Sequence, residues 1–187
     1  MPTVIRVFGT IMVLTLVLLG QGARAQDAGD TTSPKLIDEL PTSRVTIDSA
    51  LAAVKPPAVP ISAKFELDQR GQLSLSVYIA SRGTNDAGTK ALEEVSGDPL
   101  GPWSPKVETL KSSGDITDGV AQRRFMAKTS LTLEAIARRA LADQPGVVFS
   151  VLPGRIDARD AFVALVLGPN RQVATLAYDL KTGARFR

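Results

Sequence analysis

A short helix start occurs twice in this chain and constrains its fold more than any other feature. Val45-Thr46-Ile47-Asp48-Ser49-Ala50-Leu51 aligns with Leu131-Thr132-Leu133-Glu134-Ala135-Ile136-Ala137, 86 positions later. In each copy a threonine is placed to cap a helix, its side-chain oxygen accepting from an exposed N–H of the first turn. An acidic residue two places on sits at the positive end of the helix dipole. Leu131 and Ile136 occupy the positions of a hydrophobic staple, which fixes how the chain enters the helix.

The second helix carries the fuller pattern. Leu133, Ile136, Ala137, Ala140 and Leu141 fall on one apolar stripe, with Glu134 and Arg138 spaced to pair at i,i+4. Pro145-Gly146 ends it. The first helix is shorter, because Pro56-Pro57 and Pro60 cannot continue its hydrogen-bond ladder.

After each helix the period changes from helical to alternating. Ile61–Leu67 and Leu73–Ile79 read as strands joined by a turn at Arg70-Gly71. Val147–Leu152, Phe162–Leu167 and Val173–Leu180 follow the second helix, with a loop expected around Gly154–Asp160 and a turn at Gly168-Pro169-Asn170. Between the copies, residues 82–105 read as a glycine- and proline-rich insertion with a short helix at Thr89–Val95. Lys106–Leu110 and Val120–Met126 read as strands around a Ser112–Gly119 connection, where Asp118-Gly119 is a turn signal. The expected class is α+β, each helix stripe packing on one face of an antiparallel sheet.

The residues that define the second copy resemble the PepSY domain family. They are the helix start at Leu131–Ile136, the break at Gln144-Pro145-Gly146, the strand Phe162–Leu167 and the ending Tyr178-Asp179-Leu180-Lys181-Thr182-Gly183. The resemblance is clearest over residues 130–185 and weaker over about 42–111, where the closing Asp-x-x-Thr-Gly is missing. It implies two tandem PepSY-like units, residues 42–128 with their insertion and residues 129–187. It also implies a module of exported and cell-envelope proteins, associated with protease propeptides, that binds and modulates peptidases.

Residues 1–25 have the build of an export signal. Arg6 precedes an apolar run from Val7 to Leu19, and Ala23-Arg24-Ala25 fits a cleavage site. Thirteen residues of helix reach only about 20 Å, short of a hydrocarbon core of about 30 Å. The expected location is periplasmic or secreted, with no membrane span in the mature chain. Residues 26–41 read as a flexible lead-in with one helical turn near Leu36–Leu40.

Composition narrows the chemistry. The chain has no cysteine and no histidine. Imidazole bases, Cys-His or Ser-His nucleophile pairs and the usual zinc, copper and non-haem iron ligands are therefore missing. Without the signal the net charge is +1, and no basic run with interleaved aromatics is present, so no nucleic-acid partner is expected. No cofactor, metal site or catalytic residue is expected. Asp157 and Asp160, near Arg155 and Arg159, could divide acid and base roles, but read as loop formers. Asp115 and Asp118-Gly119 lack the oxygen ladder of a calcium loop. Trp103, in a proline-rich stretch, and Tyr178, before the closing turn, are the candidate partner-binding residues. The expected function is non-enzymatic binding of a protein or peptide partner. The alternatives are a cofactor-free hydrolase using carboxylates or a lysine-activated serine, and a structural envelope protein.

Overall fold

The computed structural model describes residues 32–80 and 92–187. The export signal, residues 26–31 of the lead-in and residues 82–91 of the insertion lie outside the described residues.

The fold is α+β, with a seven-stranded antiparallel sheet and four helices among the described residues. Helices α1 (Pro34–Glu39) and α2 (Ile47–Ala53) precede strands β1 (Val59–Leu67), β2 (Leu73–Ala80), β3 (Leu92–Gly97) and β4 (Lys106–Thr109). Helices α3 (Ser113–Met126) and α4 (Leu133–Asp143) lead into β5 (Val147–Ile156), β6 (Arg159–Leu167) and β7 (Val173–Asp179). The strand order is β4-β3-β2-β1-β5-β6-β7. Two meanders thus run outward from a central β1–β5 seam, where only Ala63↔Val151 and Lys64↔Ser150 pair.

Both repeated helix starts form as the residues require. Thr46 accepts from Ser49 N and Thr132 accepts from Ala135 N. Leu133, Ile136, Ala137 and Ala140 are buried, and Arg138 pairs with Glu134 on the solvent side. The inner face of the sheet supplies Phe65, Phe149, Phe162 and Tyr178 to the main core, which α1, α2 and α4 cover.

Three expectations are corrected. The lead-in is ordered from residue 33, because Ser33 caps α1, Pro34 occupies its first turn, and Leu36 and Leu40 are buried in the core. Residues 92–95 form β3 and not a helix, since β2 offers them a six-residue ladder from Leu75↔Gly97 to Ala80↔Leu92. Residues 113–126 form α3 and not a strand and connection. Ser112 caps it, and Gly119 is a contact point, not a turn: a Cβ there would lie 3.0 Å from Leu92 Cδ1. Helix α3 crosses the outer sheet face, sealing a second small core of Ile61, Ala80, Leu92 and Leu110 with Ile116 and Val120.

The loop expected at Gly154–Asp160 shrinks to a two-residue hairpin. Asp157 and Ala158 both take positive φ, 49° and 63°, the conformation of the commonest tight hairpin turn. Pro153 is tolerated within β5 because the ladder with β1 ends at Val151.

If α1 is part of the core, Leu36→Ala removes a fully buried side chain and destabilises the fold by about 2–5 kcal/mol. Chemical denaturation of the variant measures this, and an unchanged midpoint would return α1 to a lead-in.

Candidate functional site

The outer face of the sheet, beside α3, carries a polar cluster that sequence reading did not single out. Alternation along β1 puts Ser62, Lys64 and Glu66 on this face, and the register brings Tyr78, Ser76 and Ser74 opposite them. Glu94 on β3 lies across from Tyr78 on one side and from Glu108 on the other. Ser76 is fully buried, and its hydroxyl oxygen is 2.6 Å from both Glu66 Oε1 and Glu94 Oε1.

A serine has one proton to give, so its hydroxyl serves one carboxylate at a time or is shared between the two. Burial raises the Glu94 carboxyl above its ordinary value, Ser76 opposes that shift, and the nearby charge of Glu66 adds to it. The Ser76 hydroxyl is placed to donate to either carboxylate, Glu66 on β1 or Glu94 on β3. Lys64 Nζ completes the cluster 2.9 Å from Glu66, and also sits 5.5 Å from the centre of the Tyr78 ring. Ser62 donates to Gln122 of α3 at 2.7 Å, which ties the helix to the same face.

This is where the structure brings a serine and a lysine together across two strands. The serine is buried with its proton directed at a carboxylate. The lysine Nζ is engaged by Glu66 at 2.9 Å. Both features suit a structural network better than a nucleophile and its base. Asp157 and Asp160 are kept apart in role. Asp157 stands at the hairpin tip with 78% of its side chain exposed. Asp160 accepts from Lys128 at 2.8 Å and from Arg155 at 3.0 Å, and those bonds, Lys128 foremost, lower its carboxyl. Asp115 and Gly119 belong to α3. Among the described residues no group of three or more histidine, cysteine, aspartate or glutamate side chains could hold a metal ion. No helix among them is long and apolar enough to cross a membrane.

The two candidate partner-binding aromatics both pack against the main core. Trp103 is half-buried beside Gly97, in a loop tied to the start of α2 by Arg44 N donating to Pro99 O at 2.9 Å. Its indole Nε1 is buried with no hydrogen-bond partner. Tyr178 is 1% exposed and donates to Asp143 Oδ2 at 2.9 Å. Burial and that bond raise its phenol. What remains reachable there is a shallow groove of about 320 Å³ lined by Arg139, Asp143, Gly183 and Arg185.

The closing turn beside it has a physical account. Asp179 Oδ1 accepts from Thr182 N at 2.8 Å, from the Thr182 hydroxyl at 3.0 Å and from Lys181 N at 3.0 Å, which lowers its carboxyl. Gly183 takes φ +67°, and Arg139 of α4 donates to its carbonyl at 2.8 Å. An added Cβ at Gly183 would collide with that guanidinium.

The β4 edge, which no described residue pairs with on its outer side, is the other notable surface. All four residues of β4 are exposed, Val107 most of the large apolar side chains at 59%. The opposite edge, β7, is covered at its C-terminal half. Ala177 N donates to Arg187 O, Phe186 N to Ala177 O, and Asp179 N to Ala184 O.

No protein-family model matches the chain. No curated protein matches it either. Among solved structures, a putative lipoprotein from Clostridium difficile 630 is similar at 16% identity, over 78% of this chain and 92% of that one. The TM-score is 0.39, a level that carries no argument about either fold or site.

Two measurements test these assignments. Because the folded state holds a proton on Glu94 above the ordinary value of 4.5, it binds more protons than the unfolded chain in the window just above that value. Stability contributed there falls as pH rises through the shifted value. Glu94→Gln, which removes the titrating group and keeps an acceptor for Ser76, should flatten that fall in denaturation curves taken from pH 4.5 upward. An unchanged slope would reject the raised carboxyl. Tyr178→Phe should cost about 1–2 kcal/mol by removing a hydrogen bond to a charged partner while leaving the ring in place, as read from thermal or urea unfolding.

Proposed function

We propose that this protein is an exported, non-enzymatic binding or regulatory module built from two tandem PepSY-like units. Support for the tandem reading comes from matched threonine caps on α2 and α4, each followed by an antiparallel meander running away from the β1–β5 seam. The resemblance of residues 130–185 to PepSY domains, and the physical logic of the Asp179–Gly183 turn, support the family reading. The signal-like residues 1–25 support export to the periplasm or beyond.

The observation that carries the binding function is the β4 edge, unpaired on its outer side among the described residues. A strand paired on one side leaves a row of backbone donors and acceptors that an extended polypeptide can complete, with alternate side chains setting preference. A peptidase or an envelope-complex protein with an extended segment is the partner class this reading favours. The module then acts by occupying that segment, not by turning it over.

Successive N–H groups of a strand point to opposite sides. Of Val107→Pro and Glu108→Pro, one therefore removes an outward donor and the other a donor to β3. A photo-cross-linker at Thr109 in cells, followed by mass spectrometry, should yield a defined polypeptide. One of the two prolines should abolish that cross-link while leaving the unfolding midpoint within about 0.5 kcal/mol of the parent. Cross-links unaffected by either proline would refute edge capture.

A further inference from the structure

We propose that the β4 edge pairs with the β4 edge of a second copy of this chain, forming a two-fold dimer about Val107. The inference rests on β4 being a docking edge and names a second copy as an occupant that competes there with a partner's extended segment. In an antiparallel pairing centred on one residue, that residue meets itself and its two neighbours meet each other. About Val107 this sets Val107 against Val107, and each Lys106 against the Glu108 of the other copy. The sequence Lys-Val-Glu is therefore complementary to itself in charge and apolarity.

The surroundings favour this register. Lys106 and Glu108 share the outer face with Ser96 and Glu94, their partners on β3. Glu108 stands directly opposite Glu94 in the register, so its β3 neighbour offers it no cation. The second copy's Lys106 would flank Glu108 on its open side and supply one. Val107 lies on the other face beside Val95, so the paired valines extend the apolar inner surface. Closure follows from the opposite edge. The C-terminal residues already occupy part of β7, so the pairing joins two copies through one identical patch, the geometry of a closed two-fold dimer.

Sedimentation equilibrium over a concentration series tests the idea with charge swaps. Lys106→Glu places Glu against Glu, and Glu108→Lys places Lys against Lys. Each variant alone should dimerise about tenfold more weakly than the parent or worse. Mixed in equal amounts the two should form a heterodimer, because every pair is then opposite in charge. Far-ultraviolet circular dichroism of each variant confirms that loss of pairing is not loss of fold. In a chain with no cysteine, Val107→Cys should give a disulfide-linked dimer on mild oxidation, where Thr42→Cys should not.

A parent that stays monomeric, or swaps that dimerise as well as the parent, would overturn self-pairing. If partner cross-links remain sensitive to proline in β4 under that outcome, edge capture stands and only the identity of the occupant fails. If those cross-links ignore the prolines as well, both readings fall.

Discussion

Two rungs of backbone pairing at the centre of the sheet hold this architecture together. Ala63↔Val151 and Lys64↔Ser150 join partners far apart in sequence, and the flanking meanders meet in one sheet only through them. So short a ladder is a weak joint by hydrogen bonding alone. Side chains reinforce it from both faces. Ala63, Phe65, Phe149 and Val151 pack beneath α2 and α4, which also touch each other across the seam. On the outer face, α3 spans β1 and β5 and ties itself down through Ser62 and Gln122. Burial on both sides of a minimal ladder makes the sheet continuous.

The same principle explains the polar cluster around Ser76. A serine in a central strand, flanked by glutamates on both neighbours, would leave unsatisfied groups if each carboxyl were solvated separately. One hydroxyl lies within hydrogen-bond reach of both carboxyls, and Lys64 balances the charge of Glu66. The cost is a dependence on protonation state that a purely apolar face would not have.

Much of the fold was legible in the residues. The threonine caps, the apolar stripe of α4, the Arg70-Gly71 turn and strands β2, β6 and β7 follow from local pattern. Local pattern misled where tertiary contact decided. Gly119 resembles half of a turn signal, yet it is glycine because Leu92 lies against that point of α3. The apolar residues of α3 are few, since the helix covers only a small second core, and so its periodicity is thin. For α1 the signal was present: a serine before a proline, with leucines four apart, marks a capped helix with a buried side. The candidate site was less legible. Ser76, Glu66 and Glu94 come together only through strand register, which no short window of sequence contains. Trp103 and Tyr178 stood out by residue type, and the fold places both against the main core.

If copies pair through β4 as proposed, the C-terminal residues that lie along half of β7 bring the molecule toward a monofunctional unit in the polymer chemist's sense. A unit with one reactive end can only terminate growth, whereas a unit with two can extend it without limit. Without the contacts from Ala184–Arg187, the exposed part of β7 would extend from its N-terminal half to the whole strand. A second full-length edge would favour a filament over a discrete particle.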